Sequence, residues 1–185
     1  MRIVGGKNRG RRLIAPKGAA TRPTSDRIRE AIFNILAHGM DLDLDSCHVL
    51  DLFAGTGALG LEALSRGAGS ARFIDNAGAA IDLIRANAEA LGESAAVVVR
   101  ADIGKLGAPP ADAGPFGLAL LDPPYGGGLI KAALAGLAAP GWLADDAILV
   151  IETSRDEKFE VPDIYELVEE RFYGATKISF ARYRG

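Results

Sequence analysis

The stretch Val49-Leu50-Asp51-Leu52-Phe53-Ala54-Gly55-Thr56-Gly57-Ala58-Leu59-Gly60 constrains the fold more than any other part of the chain. A short apolar run, Val49 to Phe53, holds one acid, Asp51, and is followed by glycines at spacings of two and three. Leu61-Glu62-Ala63-Leu64-Ser65-Arg66 then consists almost wholly of strong helix formers. The order is buried strand, tight glycine turn, helix. Glycine suits a turn whose backbone takes positive φ or lies close to a ligand, because it has no Cβ to clash. The helix start behind the turn presents free N–H groups to an electron-rich ligand. Taken alone, Gly55-x-Gly57-x-x-Gly60 satisfies the dinucleotide fingerprint, with Asp75 at about the distance of a ribose acid. It equally fits a strand–helix turn with no ligand.

Beyond this stretch the chain alternates. Ala71 to Asp75 reads as a strand and Ala77 to Leu91 as a helix with Ala80, Ile81, Ile84, Ala88 and Leu91 inward and Gly92 as its stop. Ala95 to Arg100 is a strand, Phe116 to Asp122 another, Gly128 to Leu137 a helix, and Ala147 to Glu152 a fifth strand. Tyr165 to Tyr173 and Lys177 to Tyr183 flank Gly174-Ala175 and read as an antiparallel terminal pair. Repeated β–α units with apolar strands predict a mostly parallel, doubly wound α/β sheet. With 185 residues, 49% hydrophobic and 24% charged, the chain suits one soluble globular domain. The N-terminus has no apolar signal region, and no apolar run reaches membrane-span length. A single cysteine, Cys47, expected in the first strand, fits a reducing cytoplasm. One cysteine and two histidines, His38 and His48, offer no zinc-ligand spacing, so no metal is expected.

Charge is unevenly placed. Residues 1–29 hold nine basic side chains and one acid, Asp26, so the other 156 residues carry a net −11 within a chain total of −3. A basic segment on an acidic body points to a polyanionic partner. Ile3-Val4 and Leu13-Ile14 bracket a glycine- and arginine-rich turn, which reads as a small β-hairpin extension over residues 1–22. Its glycines let backbone lie near phosphate, and its arginines bind phosphate oxygens in pairs. Arg2, Lys7, Arg9, Arg11, Arg12 and Arg22 are the candidate RNA contacts. Thr24 or Ser25 then caps a helix whose Ile28, Ala31, Ile32, Ile35 and Leu36 form a core stripe.

Asp51, Asp75, Asp102 and Asp122 each stand at or just beyond the C-terminal end of an expected strand, the edge where open α/β sheets bind ligands. Such carboxylates suit a small cationic cofactor with ribose hydroxyls and an adenine. S-adenosylmethionine has these groups and no phosphate, whereas a pyrophosphate would be poorly served by Asp51. Asp122-Pro123-Pro124-Tyr125 supplies the chemistry. An exocyclic base amine is a poor nucleophile because its lone pair is delocalised into the ring. Asp122 can accept one N–H and the Pro123 carbonyl the other, which favours a tetrahedral nitrogen. Pro123 and Pro124 stiffen the turn, and Tyr125 can stack on a base that has left its helix. A strand-ending Pro-Pro turn with a surface tyrosine is the plainer alternative.

These residues resemble the bacterial methyltransferases that modify N2 of a guanine in 16S ribosomal RNA. The resemblance covers nearly the whole chain. It rests on Arg2-Ile3-Val4-Gly5-Gly6, on the more specific Arg22-Pro23-Thr24-Ser25-Asp26-Arg27, on Asp51 through Ala68 and on Asp122-Pro123-Pro124-Tyr125. It implies a Rossmann-like class I methyltransferase fold with a seven-stranded, mostly parallel sheet. It also implies an S-adenosylmethionine-dependent domain over residues 23–185 behind the N-terminal extension. The candidate cofactor contacts are Asp51, Phe53, Gly55, Gly57, Asp75, Asn76, Asp102 and Ile103. Where the family carries a glutamate after strand two, this chain has Asp75 followed by Asn76. The implied substrate is 16S rRNA in an assembled or partly assembled small subunit, acted on by a cytoplasmic monomer. The Asp-Pro-Pro-Tyr motif also occurs in adenine-N6 enzymes. A non-catalytic RNA-binding factor or a nicotinamide-dependent oxidoreductase on a similar fold are the alternatives from other classes.

Overall fold

The computed structural model describes residues 1–15, 25–124 and 128–185. The chain runs α1 (Asp26–His38), β1 (His48–Leu52), α2 (Ala58–Ser65), β2 (Ser70–Asp75), α3 (Gly78–Leu91), β3 (Ala96–Arg100), β4 (Phe116–Leu121), α4 (Leu129–Leu137), β5 (Leu143–Ser154), β6 (Tyr165–Tyr173) and β7 (Thr176–Tyr183). A short 3₁₀ turn, Ile103–Lys105, follows β3. The seven strands form one sheet in the order β3-β2-β1-β4-β5-β7-β6. The first five are parallel, and β7 runs antiparallel to both β5 and β6. The strand order reverses between β1 and β4, so the crevice outside their C-terminal ends is the expected ligand site.

The central strands are buried on both faces, and residue parity decides which layer each side chain joins. Val49, Leu118, Leu120, Ile148, Val150, Ile178 and Phe180 pack with α1, α2 and α3. Leu50, Leu52, Ala119, Leu121, Leu149 and Ile151 pack with α4 and with Trp142, Tyr165 and Tyr183. Asp51 falls on the α2 side of this alternation, buried beneath the helix it precedes.

Several details differ from the sequence reading. β5 begins at Leu143, not Ala147. Cys47 lies one residue before β1, half-buried. The core stripe of α1 is Arg29, Ile32, Phe33 and Leu36, with Ile28 and Ile35 at its margin. Arg29, counted above among the basic residues of a polyanion-facing segment, is 0% exposed. It donates to the Arg2 carbonyl and forms an ion pair with Asp26.

The N-terminal hairpin is a single antiparallel bridge, Arg2 with Arg12, around tight turns. Ile3 and Leu13 are buried in the main core, so residues 1–13 are packed onto the α/β body. The buried carboxylate of Glu62 accepts from the Val4 and Gly5 amides, both at 2.8 Å, and pairs with Arg66 at 2.7 Å. Ser65 Oγ accepts from the Asn8 amide at 2.9 Å and donates to the Gly5 carbonyl at 2.6 Å. No helix of the described residues is long and apolar enough to cross a membrane.

Candidate active site

The sheet register assembles the acids. Leu52 stands opposite Ile74 on β2 and Leu121 on β4, so Phe53, Asp75 and Asp122 share one level at the sheet's edge. Asp51 lies one residue inside that level, fully enclosed. Burial pushes its carboxyl well above the usual carboxylate range. The accepted Gly60 N–H opposes that shift, and the nearby charges of Asp122 and Asp75 add to it. Asp122 and Asp75 thus stand close enough to Asp51 to disfavour its ionisation.

Each glycine of the loop has a different reason. Gly60 lets α2 sit against the sheet: a Cβ there would meet the Phe73 ring at 2.4 Å and Asp51 Oδ2 at 3.0 Å. Its amide donates to Asp51 Oδ2 at 2.9 Å, which ties the buried acid to the first turn of the helix. Gly57 caps α2 at φ 76°. Gly55 takes φ 55°, and its Cβ direction opens into space with only the Phe53 carbonyl at 3.8 Å. That open side is where a bound molecule could lie against backbone. Phe53 holds φ 59°, a conformation costing a bulky residue roughly 1–3 kcal/mol. The strain is concentrated where the chain leaves β1 for the loop.

Asp75 has work within the protein. Its Oδ2 accepts from the Gly55 amide and its Oδ1 from the Ala77 amide, both at 2.9 Å. It thus fixes the glycine loop and the entry to α3, and each oxygen keeps lone-pair capacity for a ribose hydroxyl. The Asn76 side chain is exposed beside it, while its carbonyl accepts from Arg100 Nε at 2.9 Å. Asp102 caps the 3₁₀ turn through Gly104 N at 3.0 Å and lies 3.7 Å from Lys105 Nζ. Ile103 is buried in the layer under that turn. The sheet edge thus gathers Asp51, Phe53, Gly55, Gly57, Asp75 and Asn76, with Asp102 beyond the adjacent strand.

Asp122 follows β4 directly, half-buried, and its amide reaches the Leu52 carbonyl at 3.5 Å. Pro123 is buried and Pro124 exposed. Tyr125 and Arg22 lie outside the described residues. Of the remaining candidate RNA contacts, three have protein partners. Arg2 pairs with Asp26 at 3.0 Å, Lys7 pairs with the buried carboxylate of Glu93 at 2.9 Å, and Arg11 donates to the Ala90 carbonyl. Arg9 and Arg12 are exposed and make no ion pair among the described residues.

Sequence reasoning missed Asn87. Its Nδ2 donates to the carbonyls of Thr56, at 3.0 Å, and Ile14, at 3.1 Å, so one amide joins the glycine loop to the N-terminal segment. Its place three residues after Ile84 on the inward face of α3 was the available signal. Among the described residues no cluster of His, Cys, Asp and Glu could hold a metal ion.

Comparison with known proteins bears on the family and the fold. The family model described as Conserved hypothetical protein 95 matches residues 1–182. Ribosomal RNA small subunit methyltransferase D of Escherichia coli is 37% identical over 175 residues, which is 94% of this chain and 85% of that protein. The protein of the same name from Haemophilus influenzae is 32% identical over 94% of this chain and 89% of its own length. The solved structure of Escherichia coli yhhF superposes with a TM-score of 0.83 at 34% identity, covering 100% of this chain and 98% of that one.

Proposed function

The chain belongs to the Conserved hypothetical protein 95 family, and from that premise we propose that it transfers a methyl group from S-adenosylmethionine to the exocyclic N2 of a guanine in 16S rRNA. The observation that carries this reading is the acid cluster beneath the glycine loop. Asp51 is buried with its carboxyl pushed up by desolvation and by Asp122 and Asp75. A site so built is relieved by a cation and repels a phosphate. The donor set therefore fits a sulfonium nucleoside, and the open side of Gly55 leaves space for it.

When bound there, S-adenosylmethionine supplies an electrophilic methyl on positively charged sulfur. Asp51 balances positive charge through the loop it anchors. Asp75 accepts from ribose hydroxyls with the capacity left after Gly55 and Ala77, and Asp102 accepts from the adenine amine. Asp122 and the Pro123 carbonyl take the two N–H groups of the target amine and turn its lone pair toward the methyl. The stiff Pro123-Pro124 turn holds those acceptors ready. Tyr125 stacks on the extruded base.

The test is methyl transfer by the purified chain to small subunits from cells lacking it, followed by nuclease digestion and mass spectrometry of the 16S RNA. N2-methylguanosine is the expected product. Methyladenosine, or no transfer with cofactor bound, would overturn the assignment.

A further inference from the structure

The N-terminal segment runs back along α3 in three steps. Asn8 Nδ2 donates to Glu93 at 2.7 Å, Arg11 donates to the Ala90 carbonyl, and Ile14 meets Asn87. Arg9 and Arg12, each one residue beyond such a contact, are left exposed. The third step joins more than the other two. Asn87 is 1% exposed, and its oxygen and both of its N–H groups are engaged. Its Oδ1 accepts from the Ile14 amide at 2.7 Å. Its Nδ2 donates to the Ile14 carbonyl at 3.1 Å and to the Thr56 carbonyl at 3.0 Å.

Thr56 lies between Gly55 and Gly57 in the glycine loop, and the segment touches it twice. Its hydroxyl donates to Met1 Sδ at 3.5 Å, and the Met1 carbonyl accepts from the Leu13 amide at 3.2 Å. Both ends of the segment thus converge on one residue of the loop. One turn earlier on α3, Ile84 closes on Gly57, where a Cβ would meet its side chain at 3.2 Å. Displacing either the Thr56 or the Ile14 peptide would strand the Asn87 amide where water does not reach, and an unmet buried donor is costly. The loop, α3 and the end of the segment therefore hold one another in register.

We propose that Asn87 is a positioning residue that couples the binding of the two substrates. A nucleoside against Gly55 fixes the Thr56 peptide, Asn87 passes that constraint to Ile14, and the segment is held with Arg9 and Arg12 set toward RNA. The inference rests on the RNA-methylating reading above. Coupling of this kind is reciprocal, so bound RNA tightens the nucleoside by the same factor. A merely structural Asn87 would change stability and the separate affinities, but not the dependence of one affinity on the other.

The experiment titrates small subunits from cells lacking the chain with the full-length protein. It is done with and without saturating S-adenosylhomocysteine, the product nucleoside, which donates no methyl. The wild-type chain should bind subunits about five-fold or more tightly with the nucleoside present. Asn87→Ala should bring that ratio close to unity, whatever its absolute affinities. Ile14→Pro removes the N–H donated to Asn87 Oδ1 at a residue whose side chain is 51% exposed. It cuts the link from the segment's side, should abolish the ratio equally, and judges the proposal even where Asn87→Ala does not fold. A wild-type ratio near unity would overturn the proposal, as would a wild-type ratio kept in either variant. Failure of the wild-type chain to bind subunits at all would sink it together with the RNA reading. Intact coupling without methylguanosine formed from S-adenosylmethionine would refute the functional reading alone.

Discussion

Asp51 joins the chemistry of the site to the stability of the chain. Its carboxyl, ordinarily near 3.8, is raised by burial and by Asp122 and Asp75. A carboxyl raised in the folded state stabilises the fold fully below its unfolded value, and that contribution is lost as pH rises through the folded value. Toward neutral pH Asp51 therefore contributes less to folding of the cofactor-free chain than it does in acid. Asp51→Asn keeps an oxygen for the Gly60 amide and removes the charge. The variant should melt at a higher temperature than wild type at pH 7, with the gap closing on acidification. In calorimetry it should fail to bind S-adenosylmethionine. A melting temperature below wild type at every pH would refute this electrostatic account. Asp122 belongs to the other partner. Asp122→Ala should bind cofactor normally and transfer methyl about a hundred-fold more slowly, the usual scale for one lost preorganised polar contact. Single-turnover rates with saturating cofactor would show it.

Among the elements, α2 decides how the N-terminal segment is held. Glu62 is 0% exposed and accepts from two amides nearly sixty residues away while pairing with Arg66, whose guanidinium lies 5.0 Å from the Phe33 ring centroid. Removing it leaves two partly buried N–H groups and a cation without their acceptor. Glu62→Ala should therefore destabilise the chain by about 3 kcal/mol in denaturant titrations, and an unchanged midpoint would show that the segment is only loosely held. None of this was legible in the sequence, because Glu62 reads as an ordinary helix former and its partners are backbone groups with no signature. The strands were legible because Val49 to Leu52 and Phe116 to Leu121 are apolar runs bounded by turn residues. The level of Asp75 and Asp122 followed from their place at the ends of such runs. The double duty of Asp75 did not follow, since its partners Gly55 and Ala77 depend on the loop's path. Arg29 stood in plain register with Ile32, Phe33 and Leu36 at helical spacing, but its charge argued outward and the structure turns it inward.

At the scale of the whole molecule, charge separation sets how the chain meets RNA. The acidic body repels a polyanion, so affinity must come from cations left free after the fold has used its own. Lys7, Arg2 and Arg11 are engaged with Glu93, Asp26 and the Ala90 carbonyl, whereas Arg9 and Arg12 face solvent. Each cation that displaces counterions from a phosphate steepens the dependence of log affinity on log salt by about 0.7–0.9. Changing Arg9 and Arg12 together to Ala should therefore flatten that slope by roughly 1.5 while leaving melting temperature and cofactor affinity unchanged. Lys7→Ala should do the reverse. It exposes the buried Glu93 carboxylate to partial loss of its countercharge, though Asn8 Nδ2 still donates to it at 2.7 Å. Its main effect should be a lower melting temperature with a nearly unchanged slope. Salt titrations of small-subunit binding beside thermal melts on the same proteins separate the two classes. A slope that falls equally for Lys7→Ala and for each arginine would mean that the Glu93 pair opens on RNA, and that the whole basic turn, rather than its two free arginines, meets the phosphates.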